Sequence, residues 1–355
     1  MHSSISSSER RVPARPWPGI LAAVVMATLL LTAGWELYWR GIGFVDHDYV
    51  DTPGLWAMER RRATGDRTIL IGSSRTYFDI NPRVWAEQAG GREPIQLALV
   101  GTSPRGNLTE LANDTTVSGL VVVGVTPGIF FRTRRGYLAD FPERAAKETP
   151  SEWLGQRLLM RMENLFAFID WDTQLGTILE RQPLPLRQGL ILDRAVRKIS
   201  VTRAHRHTHL DPRILRDSAY RQLARDIWMD GTDDPGRPPS PPADSVTATI
   251  AELSRDIARI RARGGDVAFV RFPSSGALRE LERRDFPRER YWDRLAGELD
   301  VAAIHFEDFP ALDAYEPPEW SHLSREDAER FTRALVPILM DSVARRRAVR
   351  EGSRP

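Results

Sequence analysis

The chain has no cysteine, so it can hold neither a disulfide framework nor a thiolate-ligated metal site. That absence is compatible with an oxidising compartment and does not by itself assign one. Charge of one sign is lacking as well: 50 Lys and Arg stand against 48 Asp and Glu, a formal net charge of +2, with basic residues spread among acidic ones. A nucleic-acid binder needs a continuous basic stripe to displace counterions from the phosphates, and none is present. No internal repeat is visible, and 41% hydrophobic residues exclude collagen-like and wholly disordered chains. What remains fits one large globular domain, or one domain with an insertion. At 355 residues it can bury a core, since chains beyond about 150 residues remove roughly 70% of their unfolded surface from water.

One apolar run stands out. Pro18 to Trp35 carries no charge, and with its flanks it reaches about 20 residues, or about 30 Å as a helix, the thickness of a bilayer core. Arg10, Arg11 and Arg15 precede it with only Glu9 among them, which places residues 1–17 in the cytoplasm and the chain after Arg40 on the other side. Trp35, Tyr38 and Trp39 form an aromatic belt at the exit. Two competing readings are a cleaved signal peptide, for which LTAG is a weak cleavage site, and a buried helix of a soluble protein.

Beyond a transmembrane helix over 18–38, a connector over 39–66 leads to alternating strands and helices. Thr68 to Ile71 reads as a buried strand ending in Gly72-Ser73-Ser74-Arg75. A helix over 82–89, a strand over 95–100, a helix over 105–113 and a strand over 120–125 follow. This alternation predicts an α/β fold with a parallel sheet and ligands at the carboxyl ends of its strands. Residues 128–243 break the rhythm with amphipathic pieces and a Pro-rich tract, and read as a helical insertion between the two core parts, 67–127 and 244–346. In the second part Val246, Ile250, Leu253, Ile257 and Ile260 mark a helix face, strands follow over 267–272 and 302–306, and Ser324 with Asp327 caps a last helix before a tail over 347–355.

The candidate chemistry is positional. Ser74 lies in the turn after the first strand and His322 in the loop before the last helix, and in a parallel sheet both places belong to one edge. A serine hydroxyl becomes a nucleophile when an imidazole accepts its proton, and the imidazole needs a carboxylate to hold its tautomer. Glu319, three residues before His322, is that carboxylate, with Asp308 as its substitute. The Ser74 N–H and Gly101 can supply oxyanion donors.

Gly72-Ser73-Ser74-Arg75, Gly101 in LALVGTSP, and Glu319-x-x-His322-Leu323 followed by Ala328 and Phe331-Thr332 resemble the first, second and last blocks of SGNH/GDSL hydrolases. The chain is similar to their membrane-anchored members, those of alginate O-acetylation and teichoic acid D-alanylation. The resemblance implies a flavodoxin-like three-layer parallel sheet, Ser74 as nucleophile, His322 as base, Glu319 as its partner, and Ser74 N–H and Gly101 as oxyanion donors. It also implies ester chemistry without a cofactor or metal, on a glycan or a small ester, outside a bacterial cytoplasmic membrane and beside a multi-pass acyl-transfer protein. Two features depart from the family: Glu319 stands where it has Asp, and its third-block asparagine is missing, so either Thr126 or Asn107 substitutes or the protein is slow or degenerate. The rival reading is an SGNH-shaped envelope protein that binds glycan or scaffolds an assembly.

Other residues have plainer expectations. Arg75 can hold an anionic group of a substrate, or pair structurally with Asp79. His205, His207 and His209 alternate as metal ligands on a strand can, yet with Arg203 and Arg206 among them they read as a solvated basic segment. Trp153, Phe166 and Trp171 are expected to pack a small core of the insertion or to line a sugar-binding groove.

Overall fold

A computed structural model describes residues 16–136, 138–180, 198–232 and 239–352. The chain opens with α1 (Trp17–Gly41), then α2 (Pro53–Arg60), β1 (Ile69–Ile71), α3 (Ser74–Phe78), α4 (Pro82–Ala89), β2 (Ile95–Gln96), α5 (Arg105–Asn113) and β3 (Leu120–Val125). Next come α6 (Pro127–Phe130), α7 (Phe141–Ala146), α8 (Pro150–Glu163) and α9 (Leu175–Glu180), the strands β4 (Ser200–Arg203) and β5 (His207–Leu210), then α10 (Arg213–Arg216) and α11 (Ser218–Met229). The last part holds α12 (Ala243–Arg261), β6 (Asp266–Arg271), α13 (Gly276–Asp285), α14 (Arg288–Glu298), β7 (Ala302–His305), α15 (Pro310–Asp313) and α16 (Arg325–Gly352).

Five strands pair in parallel in the order β2-β1-β3-β6-β7, the order of a doubly wound sheet, which reverses direction at β1 and β3. Successive side chains of a strand point to opposite faces. Ile69 and Ile71 accordingly join Val121, Val123, Leu108, Leu253 and Ile257 in one apolar layer, while Leu70 joins Val122, Val270, Trp85, Phe331 and Leu335 in the other. The fold is therefore α/β, with helices on both faces of the sheet. The last helix runs on to Gly352, so residues 347–352 of the tail expected over 347–355 are helical, and the rest of it lies outside the described residues.

α1 is long and apolar enough to cross a membrane, with a mean hydropathy of 1.9 over its most apolar window and no buried residue there. It is therefore not a core helix among the described residues. Its C-terminal end is attached to the domain, because Glu36 accepts the backbone N–H groups of Ala167 and Phe168 at 3.0 and 3.3 Å.

The insertion is not purely helical. β4 and β5 form an antiparallel hairpin in register Arg203 to His207, joined by Ala204, His205 and Arg206, with left-handed φ of 59° and 56° at the last two. The solvated basic segment expected here is corrected at Arg206, which is fully buried. Its guanidinium pairs with both Asp51 oxygens at 2.9 and 2.8 Å and donates to the Gln96 and Ala98 carbonyls at 2.8 and 2.9 Å. Those carbonyls lie along the outer edge of β2, and an unpaired sheet edge invites foreign strands. Arg206 occupies it instead. A charge so buried needs a full set of partners, and only the tertiary structure brings Asp51 and β2 to it.

Candidate active site

Ser73 is the residue before α3, and Ser74 opens that helix at the carboxyl end of β1. Two glycines let α3 lie across the strand ends: a Cβ on Gly72 would stand 1.9 Å from Thr76 Oγ1, and one on Gly124 in β3 would stand 1.7 Å from the same atom. The Thr76 side chain thus fills the space that two missing side chains leave. Ser73 is buried and its hydroxyl is 3.1 Å from that of Thr126, whereas Ser74 is partly exposed. As the first residue of a helix, Ser74 has a backbone N–H without an intrahelical acceptor.

The loop before α16 brings the other groups. Glu319 and His322 are both buried. Glu319 Oε1 accepts the His322 backbone N–H at 2.5 Å and lies 2.8 Å from His322 Nδ1, while Oε2 accepts the indole N–H of Trp228. The longer acid therefore reaches the imidazole. With Nδ1–H donated to a carboxylate, the neutral ring presents Nε2 as a proton acceptor. Trp320 within this turn has a φ of 78°, a left-handed conformation that is costly for a bulky residue and that clusters at functional loops. Its carbonyl accepts from Ser275 at 3.0 Å.

Ser74 and His322 line one cavity of about 770 Å³, together with Arg75, Gly101, Thr126 and Trp228. The imidazole packs against the Phe78 ring, tilted by 43° with centroids 4.5 Å apart, and Phe78 is four residues after Ser74 and so on the same face of α3. The two loops thus meet at one rim of the sheet. His322 Nε2 is buried and makes no hydrogen bond among the described residues, so the hydroxyl and the imidazole share the cavity without yet being joined. Catalytic hydrogen bonds are often long in the absence of substrate.

Asp79 ties the two loops together. It caps α3 and accepts the backbone N–H of Leu323, the neighbour of His322, at 2.9 Å. Burial pushes its carboxyl well above the usual carboxylate range, against the Leu323 bond and the charge of Arg75. On the ester chemistry that the resemblance implies, Asp79→Ala is expected to lower kcat/KM about 10²-fold, the scale of loss when a catalytic group is misplaced by about 1 Å. Asp79→Asn, which keeps an acceptor oxygen, should recover most of it. Equal losses in both variants would show that Asp79 does not act through this bond.

The expected pairing of Arg75 with Asp79 is corrected: the partner is Glu282 of α13. Arg75 reaches its two oxygens at 2.8 and 3.3 Å, and Arg271 reaches it at 2.5 Å, as Ser274 does at 2.7 Å. Burial raises the Glu282 carboxyl, but the charges of Arg271 and Arg75 and the bonds from Arg75 and Ser274 outweigh it and hold the group at about 2. Arg75 is thus a buried member of an ion network that also faces the cavity. Asn107, offered as an oxyanion donor, donates to the Leu97 carbonyl at 3.3 Å and does not line the cavity, whereas Thr126 does. Asp308 is engaged with Arg288 at 2.7 Å. His207 and His209 line a separate cavity with Arg83, Arg203 and Arg325, and among the described residues no three His, Asp or Glu side chains converge as metal ligands.

Trp228, Glu282 and Arg271 do not figure in the sequence reading. The signal for Trp228 was the spacing Tyr220, Ala224, Trp228, steps of four on one helix face, and it sits inside the segment set aside as an insertion. Glu282 had no comparable signal, since nothing local marks a carboxylate whose partners come from β6 and α3. Compared with known proteins, the chain matches no family model, and no curated protein matches it.

Proposed function

We propose that the protein is a serine-dependent acyl-ester hydrolase or O-acyltransferase of SGNH type, held at a membrane by α1. The observation that carries this reading is the buried Glu319–His322 pair, with Nδ1 bound to a carboxylate and Nε2 unengaged, in the same cavity as a partly exposed Ser74. In this reading Ser74 Oγ attacks an ester carbonyl carbon while His322 Nε2 takes its proton. The oxyanion is met by the Ser74 N–H, Gly101 and the Thr126 hydroxyl. Collapse expels the alcohol, protonated by His322, and leaves an acyl-serine. Water or a sugar hydroxyl then takes the acyl group, with His322 again acting as base.

The resemblance, the apolar helix and its basic N-terminal flank support a domain on the outer side of a bacterial cytoplasmic membrane, acting on an exported or cell-surface glycan. Tethering raises the effective concentration of enzyme at that surface. A multi-pass acyl-donor protein belongs to the same reading. One observation favours the rival, a catalytically degenerate glycan-binding protein of this shape: His322 Nε2 makes no bond to Ser74. A fluorophosphonate probe separates the two. Full-length protein should acquire one label, mapped to Ser74 by peptide mass analysis, and folded protein that takes no label would remove the enzymatic reading.

A further inference from the structure

α8 is inverted relative to an ordinary surface helix. Its buried positions are polar, Gln156 and Glu163, whereas Leu154, Leu158 and Met162, with Leu165 just beyond its end, are 52, 57, 47 and 66% exposed. At 100° per residue these four fall within an arc of roughly 80° on the side opposite Gln156 and Glu163. A soluble face rarely leaves so many large apolar side chains together in water. Trp153 and Trp171 are exposed too, which corrects the expectation that they pack a small core. Arg157 lies over the Trp153 ring at 3.4 Å, and Arg161 is also exposed, so basic and indole groups flank the apolar arc.

The buried side of α8 is fixed to the segment that leaves α1. The Thr52 hydroxyl donates to Gln156 and the Val50 N–H to Glu163, and the His47 N–H donates to the Glu163 carbonyl, at 2.5 to 2.8 Å. Glu36 of α1 binds Ala167 and Phe168 a few residues past the end of α8. The apolar arc is thus anchored beside the C-terminal end of the helix that carries the other exposed apolar surface.

We propose that α8 lies in the headgroup region of the bilayer that α1 spans, with Leu154, Leu158, Met162 and Leu165 in the acyl boundary and Arg157 and Arg161 at the phosphates. This rests on the reading of α1 as a membrane anchor. The bilayer is favoured over a protein partner because α8 is fixed to the segment that leaves α1 and has the basic and indole flanks of an interfacial helix.

Because the chain has no cysteine, single-cysteine variants need no background removal. Full-length Leu30→Cys, Leu158→Cys, Met162→Cys and, as an aqueous control, Ser254→Cys are labelled with an environment-sensitive fluorophore. They are then reconstituted into phosphatidylcholine and phosphatidylglycerol vesicles carrying nitroxide lipids. The expected result is quenching at Leu30 by a nitroxide deep in the acyl chain, quenching at Leu158 and Met162 by one near the headgroup, and none at Ser254. Quenching at Leu30 without quenching at Leu158 and Met162 overturns the proposal. A water-like signal there means the face is open, and a blue-shifted unquenched one means that protein, such as a second copy, covers it. No quenching at Leu30 overturns the anchor reading and the docking with it.

Discussion

Ser74→Ala and His322→Ala are each expected to lower the turnover of an aryl acetate by about 10⁴ to 10⁶-fold, and the double variant is expected to be no slower than the worse single one. A hydroxyl and its base act as one unit, so removing either removes the covalent route, and the second deletion finds nothing left to remove. The residual rate would come from the oxyanion donors and from binding. Far-ultraviolet circular dichroism and the thermal midpoint check that Ser74→Ala leaves the fold intact, as expected for a partly exposed side chain with little packing to lose. Losses of less than tenfold in both variants, or losses that multiply, would mean that the two groups do not work on the same bond. Glu319 is predicted to contribute less than either, since it orients the ring and does not carry the proton.

Glu282→Ala is expected to lose about 3 to 5 kcal/mol of stability, because it leaves two guanidinium groups, Arg75 and Arg271, buried without their shared carboxylate. The urea midpoint of the full chain measures this, and a loss below about 1 kcal/mol would show that water or another acid takes over the pair. The same carboxylate predicts a pH dependence. Its folded pKa, about 2, lies below the unfolded value of about 4.3. The network therefore contributes fully above about pH 4.3, and its contribution is lost as the pH falls towards 2. The stability gap between the native chain and Glu282→Ala should narrow over that window. A gap that stays constant down to pH 2 would mean that Glu282 is not held ionised. Because Arg75 lines the cavity, the variant should also slow ester turnover, an effect distinct from unfolding if measured well below the midpoint.

Local chemistry determined much of this protein. Short branched runs ending in glycine or serine marked β1 and β3, the three-four spacing of Val246 to Ile260 marked α12, and a charge-free stretch marked α1. Each is a pattern within one element, where period and composition suffice. The residues of the candidate site were also visible, because a serine after the first strand and Glu-x-x-His before the last helix are local signatures. Only the tertiary structure decided what each would touch. Arg75 met Glu282 instead of Asp79, which turned to the loop of His322; Arg206, read as solvated, covers the open edge of β2; Trp228, from the insertion, completes the shell of Glu319. α8 carried an ordinary amphipathic pattern whose outward side was not written in it. Buried polar groups must find partners or be expelled to water, and those partners lie on elements dozens to hundreds of residues away. Their identity depends on the order in which strands assemble, which no window of sequence contains.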